Sequence, residues 1–358
     1  DLKAWSVIVY KKHLSSYAIF AGSDIDLESH IRKFESAIEN SEYYFDKYES
    51  EDYVVAKRHY HEKGTLRWLD KRLCSSSNLQ EAMKNNSSLK GEFSSFILST
   101  DKINDPKKYR KSRNVVGYAK NIDNLKSALR DLELLEYAEK NIAELAGDDV
   151  ARKELNSRID YATSNLNSIM DDCFDNARWF FKGKELDRNH NLSQIASEVA
   201  DKIYNKAPII LNETINKDKP ASGGKSALKK LLYAIVSSPL NPIEDQNYNN
   251  ELEKLGIEKD PPELSLYLSL IKSENIHKLN KETNTWEFVK PTSSHLKGMW
   301  NAADEFLRSC KSNEPLSKLY EIWKGPPYGI KQGVLPIYAL LFMLVNERRA
   351  GFYLRGIY

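Results

Sequence analysis

Apolar positions change their spacing twice along the chain, and the changes mark three regions. In residues 1–118 short β-rich runs alternate with one helical stretch. Trp5–Tyr10 reads as a strand with Ser16–Phe20 as its hairpin partner. Asp26 is placed to cap a helix reaching about Glu39, with Leu27, Ile31, Phe34 and Ile38 on one face. Tyr53–Tyr60 and Leu66–Leu73 read as two strands around a Lys63-Gly64-Thr65 turn. Phe93–Leu98 and Val115–Tyr118 are further strands, separated by a polar loop from Asp101 to Asn114. The pattern predicts a small α/β domain.

Residues 119–189 keep helical spacing instead. Leu125, Leu129, Leu132 and Leu135 define one apolar stripe, and Leu155, Ile159, Ala162, Leu166 and Ile169 a heptad-like second. Gly147 is the stop between them and Asp148 or Asp149 the restart. The expected form is an antiparallel helical hairpin, with a dimeric coiled-coil arm as the alternative. Residues 190–358 read as helical with short β elements. Helices are expected over Leu192–Tyr204, Lys225–Ser237, Glu263–Ser273, His295–Ser309, Leu316–Trp323 and 334–346, with a β turn through Asn284-Thr285-Trp286. The closing helix followed by a hairpin from Gly351 has a winged-helix outline. The fold class predicted is α+β, predominantly helical, in three regions.

Charge adds little at the level of the whole chain. With 53 basic and 51 acidic residues the net charge is +2, so nucleic-acid binding has to come from local patches. Cys74, Cys173 and Cys310 have no metal-ligand spacing, and their odd number argues against a disulfide framework. Cytoplasmic localisation is therefore expected. The longest apolar run, Val334–Val345, is too short to span a bilayer, and no membrane partner is expected. Both ends read as cut, which points to one portion of a longer polypeptide.

Four constellations carry candidate chemistry. Ser222-Gly223-Gly224-Lys225-Ser226 has the end of a phosphate-binding loop, after a strand-like Pro208-Ile209-Ile210-Leu211, but Lys219 stands where the earlier glycine is needed. A polar loop leading into a helix is the simpler reading. His59 and His61 would share a face of a strand, without an evident third ligand. Together with Arg58, Arg67, Lys71 and Arg72 they form a basic hairpin able to contact phosphates. These six are the candidate nucleic-acid-binding residues, and a solvated, salt-bridged hairpin is the competing reading. Asp24 with Asp26, and Asp171, Asp172 and Asp175, offer the clustered carboxylates that a metal-dependent nuclease requires. Capping and solvation explain them equally well. Trp179-Phe180-Phe181, Trp300, Trp323 and Tyr328 could stack bases, but burial is the commoner use of such rings.

Several segments occur in an order that resembles one family. They are Gly22-Ser23-Asp24-Ile25-Asp26, Arg58-His59-Tyr60 with Gly64-Thr65-Leu66-Arg67-Trp68, Asp149–Leu155, and Ala207-Pro208-Ile209-Ile210 with Asn212–Asn216. Pro261-Pro262-Glu263-Leu264-Ser265-Leu266-Tyr267 and Pro326-Pro327-Tyr328-Gly329-Ile330 complete the set. The chain resembles the interior and C-terminal half of large bacterial P-loop ATPases of phage-defence, BREX-like systems. The resemblance implies a non-catalytic sensor or scaffold portion that couples DNA or protein binding to an ATPase domain outside this chain. It implies no cofactor here, with ATP and Mg belonging to the parent protein. Its partners would be DNA, other defence-system proteins or further copies of itself. A metal-dependent nuclease and a purely structural assembly protein are the alternatives, and no complete catalytic motif decides whether the chain is an enzyme.

Overall fold

A computed structural model describes residues 8–11, 16–19, 23, 25–35, 45–46, 48, 52–84, 93–237, 261–351 and 353. Helix takes about 53% and strand 13%, so the fold is mixed α+β with helix predominant, as expected. The chain divides into two compact units, Asp1–Val54 with Trp68–Ile195, and Val55–Arg67 with Ala196–Tyr358.

The first unit is built on a six-stranded sheet. In chain order its strands are β3 (Tyr53–Val55), β4 (Trp68–Cys74), β5 (Ser94–Ser99), β6 (Val115–Tyr118), β7 (Arg178–Phe181) and β8 (Lys184–Glu185), and they neighbour one another in that order. β4, β5 and β6 are parallel, whereas β6–β7 and β7–β8 are antiparallel. Every residue of β5 is buried, as a central parallel strand covered on both faces requires. A separate ribbon pairs β1 (Ile8–Lys11) with β2 (Ser16–Ile19), so the expected hairpin forms over the described residues. Trp5, and residues 36–39 at the end of the first predicted helix, lie outside the described residues.

Helix limits in this unit follow their caps. α1 (Leu27–Phe34) starts where the Asp26 carboxylate accepts from the Ser29 amide at 3.1 Å. The second helix, α2 (Lys57–Lys63), belongs to the other unit, and the short α3 (Leu79–Lys84) follows β4. α4 (Ile122–Asn141) and α5 (Asp149–Asp175) form the predicted hairpin. Asp148 restarts the helix by accepting from the Val150 and Ala151 amides, and Ser23 donates to its other oxygen at 2.7 Å. Leu27, Ile31, Ala138, Leu145, Ala151 and Leu155 share one apolar cluster, so part of the seam is filled by α1.

The second unit is mostly helical. It comprises α2, most of α6 (Leu192–Ile203), α7 (Ser222–Ser237), α8 (Pro262–Tyr267) running into a π-turn at Leu268–Lys272, α9 (Ser294–Ser309), α10 (Leu316–Lys324) and α11 (Leu335–Val345). The hairpin β9 (His277–Asn280) and β10 (Thr285–Phe288) turns at Asn284, close to the predicted turn. Pro262 and Glu263 open α8, in the first-turn positions that suit them. α11 is buried nearly all round, with Leu335, Ile337, Tyr338, Ala339, Leu341 and Phe342 in the core. Of the terminal hairpin expected after Gly351, residues 352 and 354–358 lie outside the described residues.

One sequence reading fails clearly. Leu66–Leu73 is recovered as strand β4, but Tyr53–Tyr60 is not a single strand and no tight turn joins the two. Strand β3 ends at Val55, α2 occupies Lys57–Lys63, and β4 begins only at Trp68. Gly64 closes α2 in the left-handed region at φ 69°, and a Cβ there would collide with the Ile210 carbonyl. The Ile210 amide donates to Lys63 O at 2.9 Å, and Asn216 Nδ2 donates to Gly64 O at 2.7 Å. Distant residues thus fix the helical form of a segment whose local composition is ambiguous.

Candidate nucleic-acid interface

Parallel pairing of β5 and β6 obliges the chain to cross from one end of the sheet to the other. A helix is the usual crossover, but here residues 100–114 make an irregular loop with one 3₁₀ turn, Pro106–Tyr109. The loop is pinned along its length. Ile103 is buried beside Cys74, Leu79, Met83, Ile97, Val116 and Phe180, and Tyr109 packs against the same cluster. Burial raises the Tyr109 phenol above its ordinary range, helped by neighbouring Cys74 and Asp105, so the ring stays neutral. Asp105 caps the turn by accepting from the Lys107 amide at 3.2 Å. At the far end Asn114 Oδ1 accepts from the Ser95 amide at 3.2 Å, and Ser94 Oγ donates to Arg113 O at 2.6 Å.

The apolar and hydrogen-bonding groups of this loop face inward, while its cations face water. Lys102, Lys107, Lys108, Arg110, Lys111 and Arg113 are all exposed, against only Asp101 and Asp105 of opposite sign. The β7–β8 turn adds Lys182 and Lys184 beside them, since a Cβ on Gly183 would lie 3.0 Å from Lys107 Cα. Glu185, the nearest acid in sequence, is held by Arg178 at 2.8 Å and Arg188 at 2.7 Å, and those bonds drop its carboxyl to about 2. Among the described residues, Lys102, Lys107, Lys108, Arg110, Lys111, Lys182 and Lys184 form no ion pair. The sequence shows this run of charge plainly, yet its role as a surface depends on the cations being unpaired and on the loop being anchored.

The six residues singled out as a basic hairpin have a different fate. Arg58, His59, His61 and Arg67 lie in the second unit, and Lys71 and Arg72 on β4 of the first. Arg58 is neutralised by Asp201 at 2.5 Å and Glu62 at 3.0 Å, and the Asp201 bond raises its guanidinium further. His59 is fully buried. Its Nδ1 donates to Asp201 Oδ1 at 2.7 Å, and its Nε2 accepts from Arg67 Nε at 3.2 Å, which fixes a neutral ring. Arg67 is buried too, donating to Gly329 O at 2.5 Å, with its guanidinium 3.8 Å from the Tyr204 ring centroid. Burial on its own would raise Asp201, but the bonds from His59 and Arg58 together hold it low. Lys71 sits between Asp171 at 2.6 Å and Asp52 at 3.6 Å. His61 is exposed and, on a helix, two residues on from His59 it points to another side.

The remaining candidates are absorbed by structure. Gly223 and Gly224 lie inside the first turn of α7, and Pro208–Leu211 is not a strand, so no strand–loop–helix forms there. Asp26 is a cap, and Asp24 lies outside the described residues. Asp172 accepts from Asn121 at 2.5 Å and from Asn176 at 2.7 Å. Trp179, Phe180, Phe181, Trp300, Trp323 and Tyr328 are all core residues. Among the described residues no group of three or more His, Cys, Asp or Glu is arranged to hold a metal, and no helix is long and apolar enough to cross a membrane. Comparisons with protein-family models, curated proteins and solved structures find no match.

Proposed function

We propose that this chain is a nucleic-acid-binding portion of a larger machine, and that the basic loop of the first unit is its contact. One observation carries the reading: among the described residues seven cations form no ion pair, five of them on a loop pinned by Ile103, Tyr109 and Asn114 and two on the neighbouring β7–β8 turn. Unpaired cations are the ones free to exchange their counterions for phosphates, which is the main source of affinity for nucleic acid. A pinned backbone loses little freedom on binding. DNA remains the partner suggested by the sequence, but the contact moves from residues 58–72 to residues 102–113 and 182–184. The resemblance to phage-defence ATPases supplies the wider setting, in which an ATPase domain elsewhere on the parent polypeptide acts on the DNA held here.

The alternatives have less behind them. Asp26 and His59, which a nuclease would need, are committed to a cap and to a buried network. Leu125, Leu129, Leu155 and Leu166, which an assembly arm would use, are buried within the chain. The winged-helix reading of the C-terminal end stays within this proposal as a packing module, because α11 is consumed by the core.

The test is a salt titration of DNA binding by the intact chain, followed by fluorescence anisotropy. The logarithm of affinity should fall linearly with the logarithm of salt concentration. Reversing Lys107, Lys108, Arg110 and Lys111 to Glu should weaken binding at least about tenfold and flatten that slope by roughly 3–4. Reversing Arg58, whose charge is already met by Asp201 and Glu62, should change affinity by less than about twofold. The opposite ranking of the two variants would refute the assignment.

A further inference from the structure

We infer that the partner of the basic loop is double-stranded nucleic acid, held by its phosphates without regard to base sequence. The inference rests on the reading above and narrows it. The shape of the turn gives the first argument. Its i→i+3 bonds run from Lys108 to Asp105, Arg110 to Lys107 and Ser112 to Tyr109. A three-residue repeat stacks i over i+3. Lys107 and Arg110 are therefore stacked, Lys108 and Lys111 follow them in the same short segment, and Lys182 and Lys184 lie beside Lys107. Such a compact cluster neutralises most charge on the ligand with the densest phosphates. A duplex carries one charge per roughly 1.7 Å of axis, twice the density of one strand.

Side-chain chemistry gives the second argument. Six of the seven unpaired cations are lysines, point charges without the planar fork that gives Arg its geometric specificity, and cations of this kind position a phosphate backbone. The rings nearest the cations are taken up by the fold, Phe181 with Lys182 Nζ 5.4 Å from its centroid. Phe181 is buried, Tyr109 packs on the core under the sheet, and Tyr118 stacks on Phe180. Proteins that prefer single strands present aromatic faces on which successive bases stack. Here those faces are spent on folding, and the charged side chains alone meet the ligand.

The experiment compares the intact chain on a labelled duplex of about 20 bp, on each of its separated strands, and on a second duplex of unrelated sequence. The duplex should bind at least about tenfold more tightly than either strand, and the two duplexes should agree within about twofold. The Lys107, Lys108, Arg110 and Lys111 reversal should abolish the difference while leaving thermal unfolding unchanged, because these side chains are exposed and form no ion pair among the described residues. Equal or tighter binding to single strands would overturn the duplex assignment, as would strong discrimination between the duplexes, and either would leave nucleic-acid binding intact. Failure to bind any of the probes, or an undiminished affinity in the reversed variant, would overturn both readings together.

Discussion

Arg67→Ala is expected to cost the second unit about 3–4 kcal/mol, among the largest single effects in this chain. Its guanidinium is buried and does three things at once. It donates to His59 Nε2, donates to Gly329 O, and lies over the Tyr204 ring, 3.8 Å from its centroid. Truncation leaves the first two acceptors without that donor and opens a cavity against the third. The site cannot collapse easily, because Gly329 holds φ 65° and sits so close that a Cβ would come within 2.5 Å of Arg67 Nη2 and the Tyr204 ring. Arg67→Lys should recover less than half of the loss, since one ammonium cannot donate from two fixed positions while stacking on an aromatic face. Urea unfolding followed by hydrogen exchange in α11 reads the second unit directly. A loss below about 1 kcal/mol for the alanine variant would show that the network is ornamental.

The same network explains where the sequence could and could not be read. The helices at 122–175 are legible because most of what sets them is local, an apolar stripe and an aspartate cap, although α4 ends at Asn141 and Gly147 closes only the short 3₁₀ turn Ala143–Ala146 that follows it. α1 was legible for the same reason, through Asp26. Residues 57–63 were not. Val54, Val55 and Tyr60 favour a strand locally, and two helical turns are too short for a period to show. What makes them helical is docking against partners far along the chain, with Asp201 142 positions away from His59 and Glu213 153 from Tyr60. Tertiary contact overrides propensity in such a segment.

Legibility of the site follows a related rule. The charge run at 102–113 is present in the sequence, but a total charge near zero conceals it. Arg58, Arg67 and Lys71 are equally basic in sequence and yet are paired or buried. A cation becomes a ligand site only when folding leaves it unpaired, and pairing is decided by neighbours that no local pattern names. The aromatic clusters at Trp179–Phe181, Trp300 and Trp323 lie in the core, as large rings that act mainly through burial should.

Acid should loosen the second unit well before its carboxylates titrate. His277 is buried in β9 among Tyr267, Trp286 and Phe288, with its Nδ1 3.0 Å from the Tyr267 hydroxyl. Burial first, and Lys272 second, push its imidazole down to about 4. Burial also lowers His59, and Arg67 and Lys63 act in the same sense, while Asp201 only partly offsets them and Arg58 stands beyond that carboxylate. In the unfolded chain both rings bind a proton near 6.5, so between the unfolded and folded values the unfolded state holds more protons. Both contributions are therefore complete above about pH 6.5 and are lost as pH falls; that of His277 is lost towards pH 4, with about 3 kcal/mol at stake. Asp201 and Asp218, whose folded values are depressed, add their losses only below the ordinary carboxylate range. The first unit moves the other way in part of this window, because burial and then Glu136 raise Glu133 to about 7 and acid relieves that charge. Exchange of α11 amides between pH 7.5 and 4.5 isolates the second unit, and its opening free energy should fall by about 1.4 kcal/mol per pH unit for each histidine that titrates. His277→Gln keeps a polar partner for Tyr267 but cannot titrate, so its slope should lie lower by about one proton. An unchanged slope would mean that the buried ring is not the group acid attacks, and would leave His59 as the remaining candidate in the window.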